Sequence, residues 1–154
     1  MMKSILIVGM GSFAGGALRY YLSTLFKGWC GQGFPYATLA VNLIGCFAFG
    51  MLFALFQRAN ATYSPWCLLL TTGLCGGFTT FSTFSQESMT MLQSGNYMGL
   101  AIYIAASVIL GIALVAAGAV VCTAPVVLVS VAPDTRSAVS ATAGSRSFFI
   151  LQLF

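Results

Sequence analysis

Long apolar runs, separated by short glycine-rich or polar turns, set the pattern of this chain. The first runs from about Ser4 to Phe26 behind a single Lys3. The second extends from about Tyr36 to Phe56 and stops at Gln57-Arg58-Ala59-Asn60. The third begins near Pro65-Trp66, a proline suited to a helix start, and continues to about Leu92. Gln93-Ser94-Gly95-Asn96 makes the next turn, and the fourth run covers Tyr97 to about Val121. A helix needs about 20 apolar residues to cross a bilayer core, and each run is long enough. The pattern predicts an all-α integral membrane protein whose four transmembrane helices occupy residues 1–121. The first run is too long for a signal-peptide core and lacks a clear cleavage site, so it reads as a retained helix. Lys27 to Pro35 forms a glycine-rich turn whose aromatics, Trp29 and Phe34, suit a membrane interface.

Residues 122–154 read differently. The apolar stretch Ala124 to Ala132 is too short to span and is bracketed by Pro125 and Pro133. Asp134 to Ser147 is rich in Ser, Ala and Thr, and a short apolar end follows at Phe148-Phe149-Ile150-Leu151. This segment is expected to be a loosely ordered tail with no assigned function.

Composition narrows the class. The chain has 154 residues, is 59% hydrophobic and only 5% charged. Ordinary soluble domains carry about 25% charged residues, so this chain could not cover a water-facing surface. That sets aside a soluble enzyme, a nucleic-acid binder and a disordered chain. There is no histidine, which removes imidazole-based zinc sites and the commonest general base. The five cysteines, Cys30, Cys46, Cys67, Cys75 and Cys122, contain no C-x-x-C pair and argue against a disulfide framework.

The charges also bear on topology. With four spans, Lys3 and Arg58 share one side, while Lys27 and Arg19 lie toward the other. Two against two leaves almost no positive-inside bias before the tail arginines, Arg136 and Arg146, are counted. Such a chain can insert in both orientations, and two opposite copies would then resemble the inverted repeats of transporters.

Polar side chains inside a span are expensive in lipid and are functional candidates by default. Arg19 lies seven residues before Phe26 and either snorkels to the interface or marks the mouth of an anion path. Asn42 lies about 6 Å from the middle of the second run, with Thr38 one turn earlier on the same face. Its amide needs a partner, either another helix or a polar track. In the third run, Gly73, Gly76 and Gly77 precede five hydroxyls at Thr79, Thr80, Ser82, Thr83 and Ser85. The glycine cluster invites a break, and freed carbonyls with hydroxyls would suit a hard cation. The competing reading is a kink whose hydroxyls bond back to the preceding turn. Phe81 and Phe84 share one face, continued by Glu87, and serve either as core filling or as ring edges that meet an anion. Tyr103 and Ser107 are the polar side chains of the fourth run.

Three strings carry a resemblance to a known family. They are Gly15-Gly16-Ala17-Leu18-Arg19-Tyr20, Thr38-Leu39-Ala40-Val41-Asn42-Leu43-Ile44-Gly45, and Gly73 through Glu87 with its G-F-T-T-F-S-T-F-S-x-E series. Over residues 3–121 the chain resembles the bacterial fluoride channels of the Fluc (CrcB) type. The resemblance implies a passive, fluoride-selective pore in the bacterial inner membrane, built as an antiparallel, dual-topology homodimer whose third helix is broken mid-membrane. Phe81 and Phe84 would form the aromatic box and Asn42 would donate to the ion. Thr38, Thr83, Tyr103 and Ser107 would complete a polar track, and Arg19 would stand at the vestibule. Backbone carbonyls of Gly76 and Thr79 would hold a structural Na+. Some members carry more hydroxyls on the fourth helix than this chain, where Ile109 and Gly111 follow Ser107.

Two other classes compete. A small multidrug-type proton-coupled exporter needs an intramembrane carboxylate, for which Glu87 is the only candidate. A structural membrane subunit accounts for hydrophobicity and packing glycines but not for Asn42 or the hydroxyl-rich segment. An intramembrane enzyme lacks a His or Asp within the spans to activate a nucleophile.

Overall fold

A computed structural model of the chain describes residues 1–29 and 34–130. It contains α1 (Met2–Trp29), α2 (Tyr36–Arg58), a short α3 (Pro65–Cys67), a π-helical segment (Leu68–Cys75), α4 (Gly76–Phe78), α5 (Phe81–Gln93) and α6 (Tyr97–Ser130). Among the described residues, four stretches are long and apolar enough to cross a membrane: Met2–Lys27, Tyr36–Arg58, Pro65–Gln93 and Tyr97–Thr123. The four expected spans are therefore present, but the third is not one regular helix.

Its start follows from local chemistry. Ser64 is extended and its hydroxyl accepts from the Cys67 N–H at 3.1 Å, while Pro65 occupies the first helical position. Thr71 then returns its buried hydroxyl to the Cys67 carbonyl at 2.6 Å. That carbonyl is the one an α-helix would give to the Thr71 N–H, and the ladder here widens into π-helix.

The glycine cluster does not break the helix, contrary to the expectation from sequence. Gly73 lies in the π-helical segment and Gly76 and Gly77 open α4. Gly73 and Gly77 serve packing instead. A Cβ on Gly11 would overlap the Leu69 carbonyl, and one on Gly15 would overlap that of Leu74. A Cβ on Gly77 would come within 2.5 Å of the Ser12 carbonyl. Thus α1 lies backbone against backbone on the π-helical segment and α4, the close approach that small residues allow in membranes. The Ser12 hydroxyl adds a long hydrogen bond to the Gly73 carbonyl at 3.4 Å.

The interruption falls one step later, at Thr79 and Thr80, both extended. Thr80 then caps α5: its hydroxyl accepts from the Thr83 N–H at 3.3 Å and donates to Thr83 Oγ1 at 3.0 Å. Gly45 of α2 makes room beneath the interruption, because a Cβ there would overlap the Thr79 methyl group. A second tight crossing joins α2 to α6. A Cβ on Gly50 would strike the Val115 carbonyl and one on Gly118 the Phe47 carbonyl.

The chain divides into two compact units, Met1–Thr123 and Ala124–Phe154. The α6 helix is assigned from Tyr97 to Ser130. Most of the segment expected to be loose, residues 131–154, lies outside the described residues.

Candidate functional site

Asn42 supplies the central connection. Its Oδ1 accepts from the Thr80 N–H at 2.8 Å, and its Nδ2 donates to the Thr80 carbonyl at 3.2 Å. The backbone N–H can only meet the amide oxygen, so the orientation of the side chain follows from this pair. An extended residue leaves its own N–H and C=O unpaired, and each would cost about 1–3 kcal/mol if buried without a partner. Asn42 satisfies both with one side chain. Its Nδ2 carries a second N–H beyond the one given to Thr80.

The same pair has a consequence upstream. In an unbroken α-helix the Thr80 N–H would bond to the carbonyl four residues back, at Gly76. Here that N–H goes to Asn42, and Gly76 itself is exposed on the single chain with nothing within 4 Å of its Cβ direction. Thr79 behaves differently, since its N–H and hydroxyl both return to the Cys75 carbonyl, at 3.0 and 3.1 Å.

Two turns along α5, Glu87 gathers three elements. Thr38 of α2 donates its hydroxyl to Oε1 at 2.7 Å, and Tyr103 of α6 donates to Oε2 at 2.8 Å. Thr38 is buried and Tyr103 has no exposed surface at all. An acceptor-only carboxylate is thereby served on both oxygens by neutral donors. Thr38 and Asn42, one turn apart on α2, consequently face Glu87 and the interruption respectively.

The aromatic pair stands beside this cluster. The Phe81 and Phe84 rings lie 5.7 Å apart between centroids, and Phe84 lies 5.0 Å from the Tyr103 ring. Phe84 is half-buried, whereas Phe81 is 79% exposed on the single chain. Ser107 lies one turn beyond Tyr103, and its buried Oγ has no partner. Thr83 is engaged by Thr80 at the start of α5. Arg19 is half-buried on α1 with a buried Nε that lacks a partner.

Of the residues singled out from sequence, the structure brings Thr38, Asn42, Thr83, Phe84 and Tyr103 into one contiguous group with Glu87 and Thr80. Phe81 touches it at the edge. Among the described residues, no hydrogen bond ties Arg19 or Ser107 to it. Glu87 and Thr80 are the residues that reading the sequence did not place. The signal for Thr80 was a hydroxyl immediately before a helix-forming run, which is the mark of an N-cap. For Glu87 the signal was its shared face with Phe84, without any indication of which hydroxyls would meet it.

A family model described as "CrcB-like protein, Camphor Resistance (CrcB)" matches residues 6–119. Curated relatives are similar over the same region. A "Fluoride-specific ion channel FluC" of Phocaeicola vulgatus is 45% identical over 111 residues, covering 72% of this chain and 91% of that one. A protein of the same name from Oceanobacillus iheyensis is 42% identical over 113 residues, 73% of this chain and 86% of its own. One from Chlorobaculum tepidum is 42% identical over 118 residues, 77% and 93% of the two chains.

Proposed function

The chain belongs to the CrcB family, and from that premise we propose that it is a fluoride-selective passive channel of the bacterial inner membrane that confers fluoride resistance. It is a multi-pass membrane protein with four span-length helical segments. The observation that carries the proposal at the level of residues is the Asn42–Thr80 pair. It keeps an interrupted helix in place while leaving an amide N–H over, beside the Thr38 and Tyr103 hydroxyls at Glu87. An amide N–H left free is a donor that a small hard anion requires when it sheds water, while the Thr38 and Tyr103 hydroxyls hold Glu87 in place.

The physiological role follows from acid–base chemistry. Hydrogen fluoride crosses membranes as a neutral acid and ionises in a less acidic cytoplasm. The trapped anion is then expelled through a passive pore by an inside-negative potential, worth about 2.3 kcal/mol per charge per 100 mV. No coupling ion and no chemical step are needed.

In this reading Phe81, Phe84, Asn42, Thr38, Thr83, Tyr103 and Ser107 line the path and Arg19 stands at its vestibule. Two copies in opposite orientation form the working unit. What supports a second copy is the exposed face of α5, where Ser82, Ser85 and Gln86 accompany Phe81 on the single-chain surface. Lipid is a poor cover for such polar groups, whereas a partner helix is a good one. In the proposed pair of copies the break would lie at membrane depth with protein on both sides, as irregular backbone there must be. Gly76 and Thr79 fit a structural Na+ through their carbonyls, because the N–H that would occupy the Gly76 carbonyl is diverted to Asn42. Such an ion would supply positive charge to hold the carbonyls of the break together. Relatives bearing a channel's name do not favour the exporter reading.

Growth of a fluoride-sensitive bacterium that lacks its own exporter tests the proposal. Expression of the intact chain is expected to restore growth at fluoride concentrations that arrest the parent, and Phe81→Ile to abolish the rescue while the protein still reaches the membrane. Failure of the intact, membrane-inserted chain to rescue would contradict it.

A further inference from the structure

Tyr103 is the most enclosed large side chain near the candidate path, and its hydroxyl meets Glu87 at 2.8 Å. A tyrosine hydroxyl is placed by the two torsions of its side chain, and those are fixed by whatever touches the ring. Two aromatic rings touch it. Phe84 packs at 5.0 Å between centroids and 48°, and Phe34 meets it edge-to-face at 5.6 Å and 78°. The edge-to-face geometry is the one that ring quadrupoles favour.

Phe34 is itself held firmly. Its carbonyl accepts from the Tyr36 N–H at 2.8 Å, Pro35 follows it at the N-cap of α2, and its ring packs on that of Tyr36 at 4.6 Å. Proline restricts both its own φ and the conformation of the residue before it, so the direction in which the Phe34 side chain leaves the backbone is confined, and Tyr36 packs against its ring. The ring therefore reaches Tyr103 from a segment outside the four spans, and it joins a continuous aromatic row: Tyr36, Phe34, Tyr103, Phe84, Phe81.

We propose that Phe34 is a positioning residue of the ion path, whose ring holds the Tyr103 phenol in the orientation that donates to Glu87. Without that ring, Tyr103 gains room to turn, and Thr38 alone would keep the carboxylate in place. The inference rests on the channel reading. It adds a residue that acts through Tyr103 rather than on the ion.

Fluoride efflux from liposomes containing the full chain tests it, using Phe34→Leu, Phe34→Met, Phe34→Tyr, Tyr103→Phe and the double variant Phe34→Leu with Tyr103→Phe. Leucine and methionine keep an apolar filler without a ring, so either one serves if the other folds poorly. Loss of an aromatic pair is expected to slow efflux about two- to tenfold. Phe34→Tyr, which keeps the ring, is expected to restore it. In the double variant the loss should be no greater than in Tyr103→Phe alone, because Phe34 acts through the phenol hydroxyl. A merely structural role would make the two losses multiply, and that result would overturn the inference. So would efflux at the unsubstituted rate in both ring-less variants. Absence of fluoride efflux from the unsubstituted protein would instead overturn the channel reading and the inference with it.

Discussion

Where α1 crosses the π-helical segment, contact is made by what the side chains lack. Gly11, Gly15, Gly73 and Gly77 let two backbones touch, and among the described residues a single Ser12 hydroxyl is the only side chain that bonds across. Where α2 meets the start of α5 the opposite holds. An extended pair of residues is carried by the side chain of Asn42, and Glu87 is tied to Thr38 and Tyr103. Both regions hold an irregular stretch of the same span. The first does so by sterics and leaves no donor for an ion. The second does so with side-chain hydrogen bonds, and the second N–H of Asn42 Nδ2 is left over for an ion. Scaffold and path are therefore separable along one helix, and substitutions should separate them.

The largest effect is expected at the scaffold. Gly15→Val places side-chain atoms against the Leu74 carbonyl, a backbone atom that cannot step aside. Overpacking typically costs about 1–3 kcal/mol, more where backbone must move, so most of the monodisperse protein should disappear in size-exclusion chromatography. Asn42→Ala comes next. It leaves the Thr80 N–H and carbonyl unpaired at about 1–3 kcal/mol each, and should lower both the melting temperature and the fluoride flux. Asn42→Asp keeps the acceptor for the Thr80 N–H but loses the donor, and should recover only part of the stability.

Phe81→Ile should divide the two regions most cleanly. Phe81 packs little within its own chain and isoleucine keeps an apolar side chain there, so the four-span fold and membrane insertion should persist while fluoride efflux falls sharply. A normal flux in that variant would remove Phe81 from the path. Thr38→Val is the mildest. It deletes one of two donors to Glu87, worth about 1.5–3 kcal/mol for a bond to a charged group, and should slow efflux by less than Asn42→Ala.

How far the sequence reveals this division depends on the distance over which each feature acts. The four spans are legible because apolar length is a property of each segment alone, and the structure keeps Tyr36–Arg58 and Pro65–Gln93 close to the expected limits. Asn42 is legible as an amide in need of a partner. Its partner is not, because a backbone pair at Thr80 lies 38 residues away and exists only once the helix has opened. The glycine cluster points to the wrong place for the opening. Its residues look like breakers in isolation, yet α1 covers Gly73 and Gly77 with backbone and all three stay helical. Glu87 illustrates the remaining gap. Helical spacing puts it on the Phe84 face, but its two donors arrive from α2 and α6, 49 and 16 residues distant. Nor does the run Leu68 to Cys75 advertise its π register, which depends on where Thr71 turns its hydroxyl.

The most direct test of the central claim is anion efflux from liposomes containing the purified chain, with a potassium ionophore clamping the voltage and fluoride compared with chloride. Rapid fluoride release with negligible chloride release is the predicted result. A verified, monodisperse protein that releases neither ion, or both at similar rates, would contradict it.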